Sequence, residues 1–173
     1  GFLSHPGARR AERWTFRAGA VLMYERAPIV LTFNEQETEE VVGHRLSTTL
    51  GGALVPLEGL GVALSIPVYA QGGESDLGRP APAAGDLRLE VVYRAIDTKH
   101  FALAPRMEAF FPTSTRETFT GEPLPRLLLG VAVQGDVGPI SGVFGVDMLL
   151  RKKVVTGWDV EVGNELGLTA GVR

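Results

Sequence analysis

Aromatic side chains ten residues apart on one face of an alternating segment constrain this chain most: Trp14 and Tyr24 in one segment, Phe101 and Phe111 in another. A strand rises ~3.3 Å per residue, so ten residues tilted by about 40° cover roughly 25 Å, the height of the lipid-facing band between the aromatic girdles of an outer-membrane barrel. In the first segment Trp14, Phe16, Ala18, Ala20, Leu22 and Tyr24 share one face, and Thr15, Arg17, Gly19 and Glu25 the other. Val21 and Met23 interrupt the polar side. The two-residue period returns from Leu46 to Leu54, Leu60 to Val68, Leu87 to Tyr93, Phe101 to Phe111, Leu127 to Val133, Phe144 to Leu150 and Trp158 to Leu168, which predicts eight strands in all.

Eight such strands and their connections use nearly all of the 173 residues, so a single domain over 1–173 is expected, with 1–12 as an N-terminal tail. No run approaches the ~18 uncharged apolar residues of a membrane-spanning helix, so any membrane role must use strands. The absence of cysteine removes disulfides, thiolate metal sites and cysteine nucleophiles. A formal net charge of -3 offers no basic stripe to a phosphate backbone, and no nucleic-acid partner is expected. The opening GFLSHPGARRAER lacks the apolar core of a signal peptide, as in a mature or trimmed chain.

Connections alternate in length. Long, polar ones are expected at Thr32–Glu40, Gln71–Gly85, Thr113–Pro123 and, less markedly, Lys152–Gly157; tight turns are expected at Pro56–Gly59, Asp97–Lys99 and Gly135–Pro139. Strict alternation puts all long loops at one end of an up-and-down antiparallel sheet, as in outer-membrane barrels. Alternation alone does not say which face is lipid-exposed. A soluble barrel or sandwich that binds a small apolar ligand inside is the alternative, and the girdle spacing favours the membrane.

The polar side of these strands carries Arg17, Arg45, Arg88, Glu90, Arg94, Arg106, Glu108, Arg126, Asp147, Arg151, Asp159, Glu161 and Glu165, the expected lining of a charged lumen. Trp14, Tyr24, Tyr93, Phe101, Phe111, Phe144 and Trp158 are the expected lipid-interface aromatics. Centring the fourth hairpin on Thr98 opposes Arg88 to Glu108 and Glu90 to Arg106. Single surface pairs of this kind are worth only ~0 to 1 kcal/mol.

Catalytic chemistry finds little support: His5, His44 and His100 share no evident site, so no catalytic or metal-binding residue and no cofactor is expected. GGESDLG lacks the Gly-Lys-Ser/Thr of a phosphate loop, GVFGVD sits within a strand pattern, and EQETEEVV reads as a solvated acidic loop.

The stretches WTFRAGAVLMYERAPIVL, LGVALSIPVYAQ, GDLRLEVVYRAI and FALAPRMEAFFPTS resemble the N-terminal barrels of the outer-membrane protein A family. The resemblance implies an all-β, antiparallel up-and-down (meander) transmembrane β-barrel, or part of one, in a bacterial outer membrane. It also implies an anchoring or porin-like role that sometimes passes small solutes, and partners that include the lipid bilayer, lipopolysaccharide and, through a further domain, peptidoglycan. Two departures from the family pattern are expected to matter. The peptidoglycan-binding domain is absent, and the chain lacks the terminal aromatic residue of complete barrels. Both suggest a segment of a longer protein, with strands or a periplasmic domain beyond Arg173.

Overall fold

A computed structural model of the chain describes residues 13–33, 37–72, 81–114, 121–155 and 161–172. The strands are β1 (Thr15–Phe33), β2 (Glu37–Leu57), β3 (Leu60–Gly72), β4 (Ala81–Ala84), β5 (Leu87–Tyr93), β6 (Ile96–Asp97), β7 (Phe101–Phe111), β8 (Arg126–Val137), β9 (Ile140–Arg151), β10 (Val154–Val155), β11 (Glu161–Val162) and β12 (Glu165–Val172). The main sheet runs β1-β2-β3-β5-β7-β8-β9-β12, every neighbour antiparallel, with β4 and β6 continuing β5 at its two ends beside β3 and β7. It is an eight-stranded antiparallel meander curved into a half-barrel, open along β1 and β12. No helix occurs among the described residues, and so none long and apolar enough to cross a membrane, which says nothing about strands.

The period of two decides which residues share a face, and the register aligns those faces across the sheet. Phe16, Leu50, Leu64, Leu89, Met107, Leu129, Met148 and Leu166 fall on one side; Ala53, Ala63, Glu90, Glu108, Gly130 and Asp147 fall on the other. The tight turns Glu58–Gly59, Thr98–His100 and Gly138–Pro139 sit together at one end. Gly138 has φ +60° and precedes Pro139, which suits the first two central positions of a II′ turn, whose twist matches a hairpin.

Three expectations change. The acidic stretch Thr32–Glu40 is not a long loop: β1 and β2 continue as a ribbon to Thr32↔Thr38 and Phe33↔Glu37. Among the described residues β3 ends at Gly72, opposite His44, and beyond that point β1 and β2 pair with each other alone, with no described third strand to demand an apolar face. The fourth hairpin is displaced by two residues. Arg88 opposes Phe110, Glu90 opposes Glu108 and Val92 opposes Arg106, so Arg88–Glu108 and Glu90–Arg106 are diagonal neighbours instead of direct pairs. The cause is a break at Arg94–Ala95, where Arg94 N–H donates to Gly59 O and Ala95 N–H to Leu103 O, shifting the register between β5 and β6. A slip of two preserves every face. Finally, the last long strand starts at Glu165; Glu161 belongs to the separate β10-β11 ribbon, exposed and paired with Lys153 at 2.5 Å, and not to the polar side of the main sheet. Trp158 and Asp159 lie outside the described residues.

Candidate functional site: the polar inner face

Exposure separates the two faces. On the apolar side Phe16 is 69%, Leu64 50% and Leu168 68% exposed, whereas on the polar side Ala63 is 3%, Glu90 5% and Asp147 8% exposed. The polar side is therefore the concave one. Soluble barrels bury their apolar face; this sheet holds it out. Trp14, Tyr24, Tyr93, Phe101, Phe111 and Phe144 all lie on the outward apolar side, 40% to 65% exposed. An open apolar groove of about 500 Å³ runs between Phe16, Leu50, Leu54, Leu64, Ile66 and Leu87 on that same side.

Along the concave face, charges form rows along the register. Glu25, Arg45 and Gln71 make the first: Arg45 Nε donates to Gln71 Oε1 at 3.2 Å, Arg45 Nη1 lies 4.0 Å from Glu25 Oε2, and the guanidinium covers the Tyr69 ring at 5.3 Å. Near the tight-turn end, Arg94 and Asp97 pair at 3.0 Å. Arg17 shares a row with Ala53, Ala63 and Glu90 and is exposed beside the open edge.

Arg106, Gly130 and Asp147 are direct neighbours on β7, β8 and β9. Arg106 Nε donates to Asp147 Oδ1 at 2.8 Å and Nη2 to Oδ2, a two-pronged pair that spans the intervening strand. It passes through a notch that only glycine leaves open: a Cβ on Gly130 would lie 1.9 Å from Asp147 Oδ1.

At the long-loop end Arg88, Phe110, Arg126 and Arg151 form one row. Phe110 lies between two guanidiniums, with Arg88 5.4 Å and Arg126 4.7 Å from its centroid, within cation–π range. Arg126 pairs with Asp86 at 2.6 Å and Glu122 at 3.1 Å; Arg151 pairs with Glu122 at 2.6 Å and with Glu165. Between these clusters Glu90 and Glu108 face each other directly, and among the described residues neither forms an ion pair. Like charges directly opposed across strands are destabilising. Glu108→Gln is therefore expected to gain a few tenths to about 1 kcal/mol, read as a higher urea midpoint; an unchanged or lower midpoint contradicts the register.

Of the described charged residues read from the sequence, all but Glu161 take positions on this face. Asp86, Phe110, Glu122 and Gly130 join them unforeseen. Glu122 stands four residues before Arg126, a spacing that was readable; Phe110 looked merely apolar. The chain matches no family model, and neither a curated protein nor a solved structure matches it.

Proposed function

We propose that the chain forms part of the wall of an outer-membrane β-barrel, anchoring the protein in the bilayer and enclosing a charged lumen that passes small solutes. The observation that carries this reading is the inverted exposure: large apolar side chains on the convex face, ionised ones on the concave face. In water such an apolar face is a liability; in hydrocarbon it is the favourable surface. The girdle aromatics then lie at the two interfaces, and lipid acyl chains fill the groove beside Phe16 and Leu64. In hydrocarbon an unpaired sheet edge costs several kcal/mol for each unmet backbone group. The outer edges of β1 and β12 are therefore paired in the intact barrel, either with each other or with further strands. The lumen is filled by side chains in the first case and polar and open in the second.

A soluble barrel with an internal apolar site is the rival. It places the groove inside, whereas the groove here lies on the exposed face. Solubility separates the two. The protein is expected to sediment with membranes, to require detergent for extraction and to precipitate when detergent is withdrawn; a monodisperse, detergent-free preparation contradicts the proposal.

A further inference from the structure

Most charges on the concave face are already matched: Arg45, Arg94, Arg106, Arg126 and Arg151 each hold a carboxylate. Among the described side chains of this face, Arg17, Arg88, Glu90 and Glu108 are the charged ones that make neither a hydrogen bond nor an ion pair. Three of these four adjoin. Arg88 and Glu90 point the same way on β5, Glu108 opposes Glu90 directly and lies diagonal to Arg88, and the nearest positions on β3 and β2, Ser65, Gly51, Ala63 and Ala53, bring no charge. Phe110 is what keeps the opposite charges apart. Arg88 turns its guanidinium over that ring, 5.4 Å from the centroid, and no Arg88 nitrogen comes within ion-pair distance of Glu90 or Glu108. Its Nε is enclosed and has no acceptor. Stacking on a ring fixes a guanidinium in place yet contributes less than a charge-assisted hydrogen bond, so the charge of Arg88 is held and unspent. Unmatched charges on so enclosed a face cost stability until something supplies their partners.

We infer that Arg88 and Glu108, with Glu90 beside them, form a binding site for small zwitterions, molecules that carry a carboxylate and an ammonium a few atoms apart, as free amino acids do. Arg88 takes the carboxylate on its two Nη groups, and Glu108 takes the ammonium. Glu90, 5% exposed, adds negative charge without touching the solute. The inference rests on the reading of the concave face as a water-filled lumen and adds to it the class of solute. A simple anion meets two uncompensated carboxylates here, and a simple cation meets Arg88. A zwitterion matches both signs at once, which is how such a site discriminates.

Equilibrium dialysis of the full-length protein in detergent at low salt measures the binding of isotope-labelled free glycine, acetate and methylammonium, apart from any transport. Wild type should hold glycine at least about tenfold more tightly than either singly charged probe, because each of those lacks one charge-assisted contact. Arg88→Gln should weaken glycine at least about tenfold and turn the preference toward methylammonium; Glu108→Gln should weaken it similarly and improve acetate relative to methylammonium. Each variant removes a charge that has no partner, so both are expected to fold, which circular dichroism checks. No preference of folded wild type for glycine overturns the site, and so does equal weakening of all three probes in either variant. Passage is read separately, as glycine uptake into liposomes. Binding without uptake supports the site and overturns the channel reading; uptake without binding overturns the site and leaves the channel.

Discussion

Leu64→Arg should destabilise the protein in bilayers by roughly 2 to 4 kcal/mol, the cost of an arginine near the midplane on a lipid-facing barrel position. Leu64 is half-exposed in the middle of β3, four residues from the turn-end Leu60 and beside Leu89 and Gly52 in its row. For a soluble protein, arginine at so exposed a position is a surface change within about 0.5 kcal/mol of neutral. The two environments thus predict different outcomes for one substitution. Urea unfolding in liposomes of Leu64→Arg beside Ala84→Arg, exposed at the long-loop end where β4 pairs only with β3, separates position from chemistry. A large loss at Leu64 and a small one at Ala84 is expected. Equal, small losses contradict a lipid-facing β3.

Gly130→Ala is expected to cost about 2 kcal/mol, although it adds one methyl group to a strand that otherwise favours side chains over glycine. The reason is geometric. Arg106 and Asp147 reach each other across β8 only because Gly130 presents no Cβ, and the new atom would sit 1.9 Å from Asp147 Oδ1. Breaking the pair strands a charge on a half-buried face; the loss falls below the 3 to 5 kcal/mol of fully buried pairs because Arg106 keeps some contact with solvent. In the background of Asp147→Ala the glycine substitution should cost at least about 1 kcal/mol less, since the colliding carboxylate is gone and only the flexible Arg106 Nε, 3.1 Å from the new atom, remains close. Additive losses would show that Gly130 matters through backbone strain and not through the ion pair.

How much of this was legible depends on parity. Strand number, strand faces and the positions of the tight turns follow from alternation, and a period of two fixes which residues share a side regardless of register. That is why Arg88, Glu90, Arg106 and Glu108 were placed on the correct face although their pairing was displaced by two. The displacement arises at Arg94–Ala95, where two backbone N–H groups bond to different strands, and no residue type there announces it. The ribbon of β1 and β2 was hidden because its acidic composition resembles a loop, and composition reports the absence of a covering neighbour as readily as the absence of structure. The concave cluster was half visible: its arginines fell on the polar face, but Asp86 and Glu122 come from connections, where alternation carries no information. Phe110 was invisible for the opposite reason. Alternation already sets it opposite the outward Phe111, but an apolar ring carries no charge to mark a place between two guanidiniums.

The central claim, that the apolar face of this sheet meets lipid and the polar face meets water, can be measured strand by strand. The chain contains no cysteine, so single cysteines can be introduced without a background. Nitroxide labels at successive positions from 62 to 68 of β3, in the full-length protein reconstituted into liposomes, report collision with oxygen, concentrated in hydrocarbon, and with a water-soluble nickel chelate. Val62, Leu64, Ile66 and Val68 are predicted to favour oxygen, and Ala63, Ser65 and Pro67 to reject it, with a strict period of two. Oxygen contact without that period, or a preference for the aqueous quencher at Leu64 and Ile66, would contradict the account.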